Sequence, residues 1–439
     1  MLKLDVPKLC QRVRARDRFR TAGKLRSATG VILSCTLPAA VGDQCCILTP
    51  AGREILAEVI GFSNGLAYLV PYEQGEELSP GMTVLRKGSG LSVPVGAGLL
   101  GRIVDGLGRP LDGHGPLADC EPRSVSQEAP AAMARARIRE PFVTGQRALD
   151  GLLTLGRGQR VGIFAGSGVG KSTLLGEIAK GCEADVNVIA LIGERGREVR
   201  PFLDDCLGPK GMEKSVVVVA TCDQTPLMRV RASQVAITIA DHFRAAGLSV
   251  MLMMDSLTRL AMAQRELGLA LGEPPSARGY TPSCFQLLAN TVERLGNAAA
   301  GSITGILTVL VDGGDMDEPI SDAVRSLVDG HFVLDRRLAE RGQYPAISIS
   351  QSISRVANDV TDAGHQNTAR KLREVLATYA DAEDLIRIGA YAKGTSAAVD
   401  KAIELRPAIL SFLKQDVNER TDFAQTRAIM ERIAGAWPF

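Results

Sequence analysis

The stretch V-G-I-F-A-G-S-G-V-G-K-S-T-L-L, residues 161–175, decides the fold of this chain. Apolar residues suited to a buried strand run into a glycine-rich turn, and an apolar run of helical character follows. Such a unit leaves backbone N–H groups unpaired at a helix N-terminus, where they can bind phosphate oxygens. Lys171 is then expected to reach the β- and γ-phosphates and the Ser172 hydroxyl to be a Mg²⁺ ligand. The stretch therefore predicts a nucleoside triphosphate site.

The residues expected to contact the nucleotide's phosphates are Gly166, Ser167, Gly168, Val169, Gly170, Lys171, Ser172 and Thr173. Ala165 occupies the position at which the strict phosphate-loop motif has its first glycine. The alternative interpretation is a glycine-rich core turn with a chance lysine. The strand, turn and helix around the motif favour phosphate binding.

Length and composition bound the remaining possibilities. A chain of 439 residues with 45% hydrophobic residues suits about three domains, each with its own core. No apolar stretch is long enough to span a membrane, and the N-terminus lacks the apolar core of a signal peptide, so a cytosolic protein is expected. Nine cysteines without a C-x-x-C pair indicate reduced thiols, and four scattered histidines argue against zinc. A net charge of +2 and 4% aromatic residues argue against nucleic-acid binding.

The N-terminal part of the chain contains a basic segment followed by a β-rich segment. Residues 1–26 contain nine lysines or arginines and two aspartates, which suits either an arm on anionic lipid or an acidic partner, or a solvated tail. Short β-rich runs with turn signals between them follow, which predicts a small β-barrel or sandwich. These runs are Val31–Leu37, Cys45–Leu48, Ile55–Phe62 and Leu66–Tyr72.

Beyond a Gly/Pro-rich connection over residues 91–150, strands alternate with helices, which predicts a parallel sheet with helices on both faces. The predicted strands are Val161–Phe164, Val186–Ile192, Val216–Thr221, Val250–Met254 and Ile303–Val311. Strand signals fade after about residue 358, where a small helical domain is expected. Its predicted helices are Thr368–Asp381, Ala382–Gly389, Ala397–Lys401, Pro407–Asp416 and Thr421–Ala434.

Four further residues are candidates for the chemistry. Glu194 follows the second predicted strand, where a carboxylate can orient the attacking water as general base. Asp255 ends the apolar run V-M-L-M-M-D and suits a Mg²⁺ ligand. Tyr344 can offer its ring to adenine, or it can be a half-buried tyrosine at a strand start. Arg355 ends the β-like run Ile347–Val356, and an arginine supplied by a neighbouring subunit would stabilise the transferring phosphoryl group, although the residues alone do not select Arg355 among the arginines.

Several motifs together resemble those of the rotary ATP synthase superfamily, and more specifically the ATPases of type III protein export, flagellar and injectisome. They are A-G-S-G-V-G-K-S-T, I-G-E-R-G-R-E-V (192–199), M-M-D-S-L-T-R (253–259), G-E-P-P-S-A-R-G-Y-T-P-S-C-F (272–285), G-D-M-D-E-P-I-S-D (314–322), D-G-H-F-V-L-D-R-R-L-A-E-R (329–341), Y-P-A-I-S-I-S-Q-S-I-S-R-V (344–356) and L-I-R-I-G-A-Y-A-K-G (385–394). The resemblance is sharp from about residue 99 to residue 413. Two departures are a missing L-P segment near residues 285–290 and Ser348 in place of a common aspartate.

The resemblance implies an α/β fold: a P-loop RecA-like parallel-sheet ATPase core with an N-terminal small β-barrel and a C-terminal α-helical domain. The implied division is 1–26 basic arm, 27–90 barrel, 91–360 ATPase domain and 361–439 helical domain. It implies that Lys171 and Ser172 bind phosphate and Mg²⁺, and that Glu194 is the base with Arg195 beside it. Asp255 would be the second Mg²⁺ ligand, Tyr344 the adenine-stacking aromatic and Arg355 the arginine finger donated between subunits.

The resemblance also implies an ATP hydrolase that works as a homohexamer, with a stator or regulatory protein, a central stalk protein, export chaperones and their substrates as partners. Peripheral contact with acidic lipid at the cytoplasmic face of the inner membrane is expected. A rotary synthase subunit and a hexameric nucleic-acid motor on the same fold are the alternatives. The motif G-D-M-D-E-P leans slightly towards the injectisome branch, which leaves the choice between flagellum and injectisome open.

Overall fold

The structure, a computed structural model, describes residues 21–74 and 78–439. The described chain forms two units, one of residues up to Ser92 with Ala270–Gly272, and one of Val93–Leu269 with Glu273–Phe439. Among the described residues, no helix combines the length and the apolar character that a membrane crossing needs.

The first unit is a closed antiparallel barrel of six strands in the order β1-β2-β5-β4-β3-β6. The strands are Ala22–Thr29 (β1), Ile32–Cys35 (β2), Asp43–Leu48 (β3), Glu54–Ser63 (β4), Leu66–Pro71 (β5) and Thr83–Ser89 (β6). Apolar side chains, among them Leu33, Ile47, Val59 and Leu69, fill its interior. Of the two architectures that the β-rich runs allow, the barrel is therefore the one present.

Barrel closure corrects the extent assigned to the basic arm. Residues 22–26 belong to β1, which pairs with β2 and, from Ala22↔Leu85 to Lys24↔Thr83, with β6. In β1 only Leu25 is buried. A strand with one inward apolar residue gives no alternating signal, so the sequence does not distinguish its basic residues from those of the arm. The part of the arm that precedes residue 21 lies outside the described residues.

The second unit contains a mainly parallel sheet in the order β19-β18-β12-β17-β15-β13-β14-β8. The remaining strands are Ser92–Val95 (β7), Ile103–Asp105 (β8), Glu121–Ser124 (β9), Pro141–Phe142 (β10), Leu155–Gly156 (β11), Arg160–Ala165 (β12), Val186–Ile192 (β13), Ser215–Ala220 (β14), Ser249–Asp255 (β15), Gly296–Asn297 (β16), Ser302–Leu310 (β17), Gly330–Leu334 (β18) and Ile347–Ser354 (β19). The central strands are buried along their whole length, as in a parallel sheet covered on both faces. The parallel sheet predicted from the alternating strands and helices is confirmed.

The helices are Lys171–Gly181 (α1), Gly196–Pro201 (α2), Gly208–Glu213 (α3), Pro226–Ala245 (α4), Leu257–Ala270 (α5), Pro282–Glu293 (α6), Pro319–Leu327 (α7), Arg336–Glu340 (α8), Ala357–Val360 (α9), Ala363–Arg387 (α10), Ala397–Leu413 (α11) and Phe423–Ala434 (α12). The last three form the expected C-terminal helical region. Leu372, Leu405 and Met430 from these helices share one apolar cluster with core residues of the sheet.

The structure corrects two boundaries among the C-terminal helices. The two helices predicted over residues 368–389 are one helix, α10, because residues 368–388 contain neither glycine nor proline. The two predicted over residues 397–416 are also one helix, α11, which continues through Pro407. Proline removes one backbone hydrogen bond and normally ends or kinks a helix, but the buried face of α11 outweighs that loss.

Candidate active site

The glycine-rich turn lies between β12 and α1, at the carboxyl end of a central strand. Gly168 and Gly170 have φ values of 77° and 84°, which a residue with a side chain rarely adopts. No side chain caps α1, so its first N–H groups remain free to bind an anion. Buried Val169 anchors the turn in the core, while Ser167, Gly168, Ser172 and Thr173 are exposed. The turn therefore has the geometry of a phosphate loop.

A cleft of about 630 Å³ opens beside this turn. Its walls come from Ala165–Ser167, from Val311 to Met316 after β17, and from the end of β18 with the start of α8. In open α/β sheets, ligands bind outside the carboxyl ends of the strands. The cleft and the turn together offer a nucleotide-sized site at that edge.

Three strands of the same sheet, β12, β15 and β13, bring the predicted chemical groups together. Lys171 follows β12, Asp255 ends β15 and Glu194 lies two residues beyond β13. The Lys171 ammonium contacts Asp255 Oδ1 and lies 3.7 Å from Glu194 Oε1. Both carboxylates are buried, with exposed fractions of 3% for Asp255 and 7% for Glu194. The lysine is thus held between the two acids that the sequence analysis predicted.

Two residues that sequence reasoning missed hold these acids in place. Thr308, on β17, donates its hydroxyl to Asp255 Oδ1 at 2.7 Å. Arg259, on α5, contacts the Gly193 carbonyl and places its Nη1 3.4 Å from Glu194 Oε2. Its position four residues after Asp255, within M-M-D-S-L-T-R, was the available signal for Arg259. For Thr308, the only signal in the sequence was a polar residue within an otherwise apolar strand.

The electrostatics of Glu194 suit a general base. Burial raises the pKa of Glu194, the negative charge of Asp255 raises it further, and Lys171 partly opposes both, to give a value of about 7. A hydrogen bond also joins the carboxyl groups of Glu194 and Glu198. It lowers the pKa of Glu198 and raises the pKa of Glu194. A base works best with a pKa near the working pH. Glu194 is therefore poised to change its protonation state near neutrality.

Tyr344 lies against the phosphate loop at Gly170. A Cβ atom placed on Gly170 would lie 3.3 Å from two ring carbons of Tyr344, so the ring sits directly against the loop. The side chain is 47% exposed. An aromatic ring that is half open to solvent beside a phosphate loop can stack on a base.

The two predicted arginines lie elsewhere. Arg195 pairs with Glu198 at 3.3 Å, and both side chains are largely exposed. Arg355 follows β19, which runs antiparallel to β18, so Ile347 pairs with Leu334 near the phosphate loop and Ser354 pairs with Gly330 at the opposite edge. The Arg355 N–H donates to the Asp329 carbonyl, and the Asp329 N–H donates to Arg160, the first residue of β12. At about 3.3 Å per residue, β12 separates Arg355 from its own phosphate loop by about 17 Å.

Three family models match the chain. Residues 145–354 match the nucleotide-binding domain of the ATP synthase alpha/beta family, and residues 27–88 match the β-barrel domain of the same family. Residues 361–432 match the C-terminal domain of the EscN ATPase of type III secretion. The barrel, the sheet and the C-terminal helices thus each have a counterpart in this family.

Individual relatives agree with the models. The flagellum-specific ATP synthase of Bacillus subtilis is 49% identical over 422 residues, which cover 95% of this chain and 96% of that protein. The type 3 secretion system ATPase of Xanthomonas euvesicatoria is 44% identical and covers 94% of each chain. The assembled ATPase EscN of enteropathogenic E. coli superposes with a TM-score of 0.89 at 43% identity, over 94% of this chain and 100% of that one. The phosphate loop, the buried acids and these likenesses over nearly the whole length identify the chain as an ATPase of the type III export group in the ATP synthase alpha/beta family.

Proposed function

We propose that this ATPase couples hydrolysis of ATP to the release of export chaperones and the unfolding of secreted proteins at a type III export apparatus. The observation that carries the proposal is the buried set of Lys171, Asp255 and Glu194 at the phosphate loop. That set is built for water attack on a phosphoryl group, which supplies the energy for such work. The C-terminal helices add a surface for protein partners, because Leu385 and the 71% exposed Ile388 present apolar side chains to solvent.

A secretion assay tests this function. In the organism that encodes the chain, the gene is replaced by the wild-type sequence or by Glu194→Gln, and proteins exported into the medium are measured. We expect wild-type export from the first and loss of export from the second, at equal cellular levels of the two proteins. Normal export by the Glu194→Gln strain would refute the coupling. Loss of oxidative ATP synthesis in the mutant would favour a rotary synthase subunit. Salt-dependent binding of DNA or RNA by the protein would favour a nucleic-acid motor.

The residues at the site fit a bound Mg²⁺. The Lys171 ammonium contacts Asp255, so this pocket of carboxylates already holds a positive charge. Ser172 is exposed at the start of α1, and a hydroxyl with a carboxylate is a usual donor set for Mg²⁺ on a nucleotide. Ser172 and Asp255 would hold the ion. When bound, Mg²⁺ would neutralise part of the negative charge of the phosphates. The chain's own part is then to orient water with Glu194 and to hold the phosphates with the backbone N–H groups of residues 166–173.

We further propose that the site is completed by a second copy of the chain. Arg355 lies about 17 Å from the phosphate loop of its own chain, at a β-strand rise of about 3.3 Å, which is beyond the reach of an arginine side chain. A ring in which each subunit presents its Arg355 edge to the next subunit's loop gives every site an arginine. EscN has been solved as an assembled ATPase and in complex with its central stalk EscO, which supports a homohexamer with a stalk partner here. A stator or regulatory protein is a further proposed partner.

The basic residues that precede the barrel are proposed to hold the protein to acidic lipid at the cytoplasmic face of the inner membrane. Residues 1–20 contain seven lysines or arginines and two aspartates, and each such cation near an anionic surface contributes about 1 kcal/mol. Because β1 begins at Ala22, the test deletes residues 1–20 and leaves the barrel whole. Flotation with anionic vesicles is expected to fall at least tenfold, with neutral vesicles as the control. Equal flotation of both proteins would end the proposal.

A further inference from the structure

The loop between α11 and α12, residues 414–422, is tied by hydrogen bonds to three parts of the ATPase core: Tyr344, the segment of Gly145 and Arg147, and α1. Its most connected residue is Gln415, whose side chain is 8% exposed. Neither the motifs nor the chemistry of the site accounts for this residue. Its backbone N–H and both polar atoms of its side chain have partners in the core or in the loop itself.

The contacts of Gln415 reach Tyr344 directly. The Gln415 backbone N–H donates to the Tyr344 carbonyl oxygen at 2.9 Å. The side-chain amide donates to the carbonyls of Gly145 at 2.7 Å and Glu419 at 2.8 Å, and its oxygen accepts from the Arg147 N–H at 2.8 Å. Gln415 is therefore fixed at four points, one of which is the backbone that carries the Tyr344 ring.

Arg147 holds the other side of the same loop. Its Nε donates to the Phe412 carbonyl at 3.0 Å and its Nη1 to the Thr421 hydroxyl at 3.1 Å. Its guanidinium also contacts the Lys414 carbonyl and the Glu419 carboxylate. The hydrogen bond from Arg147 lowers the pKa of Glu419, so this pair stays ionised at neutral pH. A buried arginine satisfied by loop carbonyls gives the loop one defined position.

A third contact ties the loop to α1, the helix that begins at the phosphate loop. The Asn418 N–H donates to the Glu177 carboxylate at 2.9 Å, and Lys180 donates to the Asn418 side-chain oxygen at 2.7 Å. Asn418 has φ 68°, a conformation that asparagine tolerates better than most residues. The loop is thus anchored on the helix that carries Lys171 as well as on Tyr344.

We infer that Gln415 is a positioning residue for nucleotide binding: it fixes the backbone of Tyr344 so that the ring stays against Gly170, where it can stack on the base. The Tyr344 ring lies 3.3 Å from the Cβ position of Gly170, so a small shift of its backbone changes the space that the base would occupy. Because α11 ends at Leu413, two residues before Gln415, a displacement of α11 carries this support with it. The inference rests on the proposed binding of ATP with its base against the Tyr344 ring, the role that the sequence analysis expected of this residue.

Steady-state kinetics of wild type, Gln415→Ala, Tyr344→Ala and the double variant test the inference. Gln415→Ala keeps the backbone N–H that bonds Tyr344 but removes the three side-chain hydrogen bonds that hold this backbone in place, and we expect it to raise the KM for ATP about fivefold with kcat within about twofold. Tripolyphosphate, which has phosphates and no base, is the second probe, and its inhibition constant is expected to stay unchanged. The double variant should resemble Tyr344→Ala, since Gln415 acts through that ring.

The controls separate positioning from general damage. Gln425→Ala removes an exposed glutamine from α12 and should match wild type. If Gln415→Ala folds poorly, as judged by its unfolding temperature, Gln415→Glu keeps the volume and the acceptor for the Arg147 N–H and loses the two donated bonds.

The possible failures are distinguishable. A raised KM in Tyr344→Ala with an unchanged KM in both Gln415 variants would overturn this inference and leave the base site in place. An unchanged KM in Tyr344→Ala would overturn the base site itself. A parallel weakening of ATP and tripolyphosphate in the Gln415 variants would mean that the loop supports the whole site rather than Tyr344.

Discussion

Arg355→Ala is expected to lower the kcat of the assembled protein by about 10³-fold or more, the usual contribution of an arginine finger. The reason is geometric: the residue lies at the edge of the sheet opposite its own phosphate loop, which is the position required of an arginine that a ring would present to a neighbour's site. The KM for ATP should change little, because an arginine finger acts mainly on charge that develops in the transition state. The assay is steady-state hydrolysis at protein concentrations above and below those of ring assembly.

Arg432→Ala is the matched control for Arg355, since Arg432 is an exposed arginine on α12. It should hydrolyse ATP like wild type and assemble normally. An Arg355→Ala protein that assembles and retains near wild-type kcat would contradict the shared site. If Arg355→Ala does not form rings, measurement of its size in solution will show this. Mixing it with Glu194→Gln subunits then distinguishes a missing arginine at the site from failed assembly.

Glu194→Gln is expected to lower kcat by about 10²- to 10⁴-fold while ATP still binds, because the amide keeps the shape of the carboxylate and cannot accept the proton from water. The wild-type pH profile should show the same group. A protonated Glu194 is inactive, so with its pKa at about 7 kcat/KM should fall as the pH drops below that value. kcat/KM is the informative quantity since it reports the pKa values of the free enzyme.

Glu198→Gln provides the control for this prediction. The protonated Glu194 carboxyl group donates a hydrogen bond to the Glu198 carboxylate, which raises the pKa of Glu194, so loss of this acceptor should move the inflection of kcat/KM to lower pH with little change in the plateau. Glu194→Gln should show no such inflection. Hydrolysis by Glu194→Gln within about tenfold of wild type would be incompatible with a general base at this position.

The phosphate loop and the sheet could be predicted from the sequence because their signals are local. The glycines at 166, 168 and 170 with Lys171 form one continuous motif, and the strands β13, β14 and β15 are apolar runs of full length. The β-rich runs also predicted four of the six barrel strands, β2 to β5, but neither β1 nor β6. Each of these two strands has one buried residue, Leu25 in β1 and Val84 in β6, and is recognisable only from its pairing with neighbouring strands.

The missed residues depend on the order of strands in space, which the sequence does not state. Thr308 reaches Asp255 because β17 lies beside β15, and Arg259 reaches Glu194 because β13 lies on the other side of β15. Gln415 is more remote still, because it reaches Tyr344 across 71 residues of chain (415 − 344). Contacts of this kind have no motif, so only the folded chain shows them.

The predicted boundaries of the C-terminal helices were wrong for a different reason. The local preference of proline for the first turn of a helix predicts a helix start at Pro407, yet α11 passes through this residue. Leu405, Ile409, Phe412 and Leu413 are buried on one side of that helix, and their burial outweighs a missing hydrogen bond. Tertiary packing decided the boundary where local propensity suggested a break.

The most direct test of the shared site is hydrolysis by an equimolar mixture of Glu194→Gln and Arg355→Ala subunits. Each variant alone lacks one half of every site. In a mixed ring, a site is complete where an Arg355→Ala subunit supplies Glu194 and a Glu194→Gln neighbour supplies Arg355. Random assembly produces this pairing at about one quarter of interfaces. Activity should therefore rise from the level of the single variants towards about one quarter of wild type, and should rise further with protein concentration as rings assemble. A mixture that shows only the sum of the two single variants, in rings shown to contain both, would contradict a site shared between identical subunits.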